Sequence, residues 1–92
     1  MTPEGKVKKA LKAYLKEIGA YYYMPVPGGY GAPSIDFFIC HKGKFYGVET
    51  KRVGVGRPTD RQACVMREIA EAGGGAWLEN SVELEETKKR LK

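Results

Sequence analysis

The 92-residue chain carries 16 lysines and arginines against 11 aspartates and glutamates, a formal net charge of +5, with 42% hydrophobic and 11% aromatic residues. That makes one domain, residues 1–92, with no room for a second core and too many apolar side chains for a disordered tail. No apolar run approaches the ~20 residues of a membrane span, and no apolar signal-peptide core opens the chain, so a cytoplasmic protein without membrane contact is expected. The charge suits a polyanionic partner, although a lysine-rich solvated surface gives the same number. Cys40 and Cys64 are expected as two reduced, buried thiols, and no Cys/His cluster suggests zinc. A domain of this size is only marginally stable alone, which is consistent with a partner subunit.

The chain opens on a helix signal: Thr2 to cap, Pro3 at the first helical position, Val7, Leu11, Tyr14, Leu15 and Ile18 at helical spacing, and Gly19 as the stop. Lys8, Lys12 and Lys16 form a stripe on another face. Solvated surface is the more ordinary reading of such a stripe, with contact to backbone phosphates as the other. Glu4 lies seven residues before Leu11, above the apolar stripe, where a carboxylate must be paired or coordinate something. The alternative is a first-turn acid favoured by the helix dipole. Ala20 to Val26, with Tyr21-Tyr22-Tyr23, reads as a strand, and Pro25 marks an edge or an end.

The glycine-rich loop from Pro27 to Pro33 lacks the lysine and helix setting of a phosphate-binding loop; it bends the chain ahead of Asp36, and Tyr30 is a candidate substrate contact. Strands follow at Ile35–Cys40 and Lys44–Lys51 about a turn at His41-Lys42-Gly43. The next loop carries Arg52 and Arg57 beside flexible glycines, as candidates for phosphate contact. Thr59 caps a helix from Asp60 to about Ala72, with Met66, Ile69 and Ala70 inward and Gln62 on the buried side of its first turn. An amide at Gln62 can simply satisfy backbone groups. Ala76-Trp77-Leu78 is a short strand, with Trp77 read as core or interface rather than a stacking platform. Asn80-Ser81-Val82-Glu83 has capping-box spacing ahead of a last helix, acidic first and basic last, as its dipole favours.

The chemistry concentrates in the two central strands. A strand alternates its faces with period two, so Glu49 and Lys51 project from one side, and the turn carries Asp36 alongside. Two carboxylates and an ammonium then converge at one end of a small sheet. Hard oxygen donors of this kind suit Mg²⁺ or Mn²⁺, and a lysine beside them can position an attacking water or offset charge on a phosphate. That is the composition of a phosphodiesterase site. His41, the lone histidine, falls at the hairpin turn, where no nucleophile accompanies it.

The ordered set Asp36…Glu49-Thr50-Lys51, with Gly31-Ala32-Pro33-Ser34-Ile35-Asp36, Gly43 to Lys51, Pro58-Thr59-Asp60-Arg61-Gln62 and Ala72-Gly73-Gly74, resembles the VRR-NUC branch of the PD-(D/E)XK nuclease superfamily. The nearest pattern is that of its short stand-alone phage and bacterial members. The resemblance runs from about Pro3 to Trp77, with one departure: the proline stands three residues before Asp36 rather than adjacent to it. It implies a restriction-endonuclease-like α/β core, α-β-β-β-α-β with a C-terminal helix, its small mixed sheet flanked by helices. It also implies that Asp36 and Glu49 hold one or two divalent ions with the Thr50 backbone carbonyl and Glu4, and that Gln62 stands beside the attacking water or the phosphate. A symmetric homodimer acting on branched DNA such as four-way junctions follows from the same resemblance. No element visibly reads bases, so structure-selective recognition through the DNA backbone is expected. Two alternatives stand beside this reading: a flap or single-strand nuclease or nickase working with a helicase, and a non-catalytic nucleic-acid-binding module.

Overall fold

A computed structural model describes residues 1–25 and 35–91. The elements run α1 (Pro3–Glu17), β1 (Tyr21–Tyr23), β2 (Phe37–His41), β3 (Lys44–Thr50), α2 (Asp60–Glu71), β4 (Gly75–Glu79) and α3 (Glu85–Arg90). Thr2 caps α1 by accepting from the Gly5 amide at 3.0 Å, and Val7, Leu11 and Leu15 bury completely, one turn apart. Gly19, at φ +75°, closes the helix: its own N–H bonds Lys16 O and that of Ala20 bonds Leu15 O, the paired bonds of a Schellman end. β1 is shorter than the Ala20–Val26 strand expected, and the Pro27–Pro33 loop and Tyr30 lie outside the described residues.

The four strands lie in the order β1-β2-β3-β4, antiparallel except for the parallel pair β3–β4. Lys42 and Gly43, both at positive φ, make a two-residue turn of the kind that matches strand twist, and they set the β2–β3 register with Phe37 opposite Val48. On one face Phe37, Ile39, Val48 and Trp77 pack with Leu11 and Leu15 of α1 and with Leu84 and Leu91 around α3. On the other face α2 lies over β3 and β4. Gly47 is small because it must be: a Cβ there would sit 2.4 Å from Ile35 Cδ1 and 2.6 Å from Ile69 Cδ1.

Three expectations change. None of α2 is fully buried, and Ala70 faces solvent, because the helix covers only part of a four-stranded sheet. Cys40 and Cys64 are free but exposed, so the thiols are not core residues. The Asn80–Glu83 box does not cap α3. Ser81 and Glu83 bond each other, with the Glu83 amide donating to Ser81 Oγ at 3.1 Å. The helix instead starts at Glu85, four residues later, behind Leu84, which is left-handed at φ 57° and offers no side-chain cap. The cap comes from β4: the Thr87 amide donates to Glu79 Oε1 at 2.8 Å, and Thr87 Oγ1 accepts from Trp77 Nε1 at 3.0 Å. Glu79 is buried, and its role was not visible from its place in the sequence. Among the described residues, no helix is long and apolar enough to cross a membrane.

Candidate active site

The β2–β3 register, run one residue beyond Phe37–Val48, brings Asp36 level with Glu49. The backbone bends at Asp36, just before β2 begins. Ile35 turns toward Gly47 and Ile69 on the α2 side, whereas Phe37 enters the core under α1. Strand alternation would put residues 35 and 37 on one face; the bend breaks it. The carboxylate of Asp36 therefore leaves the sheet's end between its two layers, where side chains from both helices can reach it and Glu49.

Each carboxylate has one oxygen fixed by β-strand neighbours and one facing a cation. Asp36 Oδ2 accepts from the Thr50 hydroxyl at 2.5 Å and from the Thr50 amide at 3.1 Å, while Oδ1 lies 3.7 Å from Lys8 Nζ. Glu49 Oε1 accepts from the Asp36 amide at 3.1 Å; Oε2 accepts from Gln62 Nε2 at 2.8 Å and lies 3.4 Å from Lys51 Nζ. Glu49 is only 3% exposed. Burial, and then the neighbouring Asp36 charge, push its carboxyl up to about 7, with the Lys51 ammonium pulling the other way. For Lys8, burial acts to lower the ammonium's pKa, but Asp36 and then Glu4 outweigh it and the net shift is upward.

Asp36, Glu49, Thr50, Lys51 and Gln62 thus come together. Glu4 does not join them directly: it pairs with Lys8 at 3.3 Å, one helical turn on, and touches the site through that lysine. Arg52 and Arg57 are exposed on the loop after Lys51, and His41 lies at the far end of β2, paired with Lys44. For Lys8, its place in an i, i+4 lysine stripe left solvated surface and phosphate contact open, and only the crossing of α1 over the end of the sheet carries it to Asp36. Lys12 and Lys16, further along α1, are exposed. Thr50 contributes its hydroxyl and amide to Asp36, beyond the carbonyl anticipated for it.

Gln62 does two jobs at once. At the third position of α2, its Oε1 accepts from the Thr59 amide at 2.8 Å while its own amide donates to Thr59 Oγ1 at 3.2 Å, a complete capping box. That leaves its NH₂ for Glu49. Gln62→Glu keeps the cap acceptor but sets a carboxylate against Glu49. In circular-dichroism melts at pH 8 it is expected to lose about 5–10 °C, from about 1–2 kcal/mol of unpaired charge and lost donor. At pH 5 the loss should shrink, because a protonated Glu49 can donate to the new carboxylate. Equal losses at both pH values would place Gln62 outside Glu49's environment.

Among the described residues no three His, Cys, Asp or Glu side chains gather as a metal-holding group. The pair Asp36 and Glu49 nevertheless has the donor chemistry of a magnesium-type site, in which one or two carboxylates bind and water and substrate phosphate complete the shell. Two ammonium groups already face the outward oxygens, so a bound ion would share those oxygens with, or displace, Lys8 and Lys51.

No family model matches the chain, and no curated protein matches it. A solved structure described as a VRR_NUC domain superposes with a TM-score of 0.80, covering 98% of this chain and 97% of that one at 19% identity. This chain has the fold of that domain.

Proposed function

We propose that this chain is a divalent-metal-dependent DNA endonuclease that hydrolyses phosphodiester bonds, acting selectively on branched DNA such as four-way junctions. The observation that carries the reading is the convergence of Asp36, Glu49, Lys51 and Gln62 at one end of the sheet, in a fold shared with a VRR_NUC domain. Asp36 and Glu49, with the Thr50 backbone carbonyl, would hold Mg²⁺ or Mn²⁺; bound there, the ion would acidify a water and polarise the scissile phosphate. Lys51 orients the attacking water and offsets charge developing on the phosphate. Gln62 keeps Glu49 aimed at the sheet's end. Glu4 acts through Lys8, whose ammonium is free to turn to a phosphate oxygen once Asp36 is otherwise neutralised. Arg52 and Arg57 are the proposed phosphate contacts, and Tyr30 a proposed substrate contact.

A homodimer would present two such sites about a two-fold axis and cut two strands of one junction, which gives the geometric reason for pairing. The net charge of +5 suits the DNA partner. The deciding experiment is cleavage of a labelled four-way junction with Mn²⁺ or Mg²⁺, beside matched duplex and flap DNA and an EDTA control. Paired metal-dependent cuts on the junction support the resolving dimer. Cleavage of flaps or single strands alone assigns the site to a nickase or to an enzyme working with a helicase. DNA binding without cleavage of any substrate makes the chain a binding module. Asp36→Asn should abolish Mn²⁺ binding in a titration; unaltered affinity would remove Asp36 from the ligand set.

The raised Glu49 carboxyl sets a pH dependence whose sign is fixed. Its native pKa of about 7 exceeds the ordinary 4.5, so the folded state binds this proton more tightly than the unfolded chain does. Stability from this group is present at low pH and declines as pH rises from about 4.5 through 7. A divalent ion competes with that same proton. Mn²⁺ is therefore expected to raise the melting temperature much more at pH 8 than at pH 5.5, with affinity rising about tenfold per pH unit below 7 and levelling above it. A Mn²⁺ affinity independent of pH from 5.5 to 8 would contradict ligation by Glu49.

A further inference from the structure

Because α2 covers β3 and β4, the β1–β2 half of the same sheet face stays bare among the described residues, and it is aromatic. Tyr21 pairs with Cys40 and Tyr23 with Phe38 across β1–β2, and Cys40 pairs with Phe45 across β2–β3, so these five side chains share one face. They line an open groove of about 390 Å³ that no acidic side chain enters. Tyr21 is 72% exposed, Tyr23 56% and Phe45 47%, while Phe38 and Phe45 stack with ring centroids 5.8 Å apart. Wet aromatic rings on an edge strand are a poor choice for a solvent face unless something flat covers them.

The groove adjoins the candidate site. Phe38 lies across from Gly47, which makes it a diagonal neighbour of Glu49, about 7–8 Å along the sheet. Ile35 and Ile69, closed over Gly47, form the low apolar wall between the two. One basic residue of the candidate site, Lys51, lies beyond that wall. The free area also decides between occupants. Three rings of roughly 200 Å² each, at these exposures, offer about 350 Å², well short of the ~800 Å² per partner that a stable interface between two copies buries. That extent instead suits two or three stacked rings.

We propose that this half-face is a base-stacking platform for unpaired nucleotides flanking the scissile phosphodiester, with Tyr21, Tyr23 and Phe45 as its rings. The proposal rests on the nuclease reading and narrows its substrate class to DNA with unpaired bases beside the cut, as at a flap or an opened junction. Stacking on aromatic side chains tolerates any sequence, because every base offers a π-face. Recognition of this kind needs no base-reading element.

The test is binding rather than cleavage. Fluorescence anisotropy in EDTA compares a labelled oligothymidine with an abasic strand of the same length, for the wild-type chain and for a Tyr21→Thr/Tyr23→Thr double variant. Both positions are exposed and threonine keeps strand propensity, and a melting curve checks the fold. The wild type should hold the thymidine strand at least about tenfold tighter than the abasic one, and the variant should lose most of that ratio while keeping its abasic affinity. Equal affinity of the wild type for the two strands overturns the platform, as does a ratio the variant leaves unchanged. Light scattering supplies the competing outcome: a wild-type dimer that the double variant converts to monomer assigns the face to a second copy instead. Since no metal or turnover enters, a failure of the nuclease reading leaves this result legible, and the reverse also holds.

Discussion

On the proposed nuclease reading, Lys51→Ala is expected to lower metal-dependent cleavage by about a hundredfold to a thousandfold while the protein stays folded and keeps its DNA affinity. The separation of the two effects follows from how Lys51 is held. Its amide donates to the Glu79 carbonyl at 2.9 Å, a bond that alanine retains. Its ammonium has a different duty, 3.4 Å from Glu49 and 18% exposed at the end of β3. Truncation also removes the ammonium that does most to pull the Glu49 carboxyl down, so the pH at which Mn²⁺ affinity levels off should move upward. Single-turnover cleavage of the best substrate, melting temperature and Mn²⁺ titration across pH read the three consequences separately. Retention of more than about a tenth of the rate would shift the electrostatic role to Lys8, the other ammonium on the carboxylate pair, and Lys8→Ala would then be the deleterious change.

Glu79→Ala is expected to be the most damaging single change to stability away from the site. The carboxylate is 1% exposed and holds the Thr87 amide, and Thr87 in turn holds the Trp77 indole. A six-residue helix has little stability of its own and depends on tertiary anchors. Leu84 and Leu91, at either end of α3, belong to the main core, so loosening the helix opens that core as well. Losing the acceptor strands a buried donor and leaves a cavity, which together cost about 2–4 kcal/mol. For a chain of this length that is a fall of about 10–20 °C in melting temperature. Glu79→Gln keeps an acceptor oxygen and should fall much less. If alanine and glutamine prove equally destabilising, the charge rather than the cap is what the fold uses there.

These two residues mark where the sequence could and could not be read. Lys51 stands in a local pattern, two residues from Glu49 on one strand, and period-two alternation is enough to put both on one side. Glu79 has no such pattern: a glutamate at the end of an apolar strand looks like ordinary surface. Its partner is eight residues on, across a turn whose own Ser81-Glu83 pairing imitates a helix cap. The capping-box spacing was present, but the left-handed Leu84 displaced the helix start beyond it. Ala70 failed for a related reason. Helical spacing locates an apolar stripe, but not how much of that stripe a narrow sheet will cover.

The sequence by itself determined the order of the elements, the caps of α1 and α2, the turn between β2 and β3, and the convergence of Asp36, Glu49 and Lys51. All of these rest on interactions within a few residues or on strand periodicity, which backbone geometry makes nearly obligatory. Only the tertiary structure decided that Lys8 reaches Asp36, that Thr50 clamps it, that Gln62 serves Glu49 and the helix cap together, and that β1 and β2 keep an aromatic face bare. Each of those depends on where a helix crosses the sheet and on the bend at Asp36 that ends its alternation. Such placements are set by packing between segments far apart in the chain, and no local spacing encodes them.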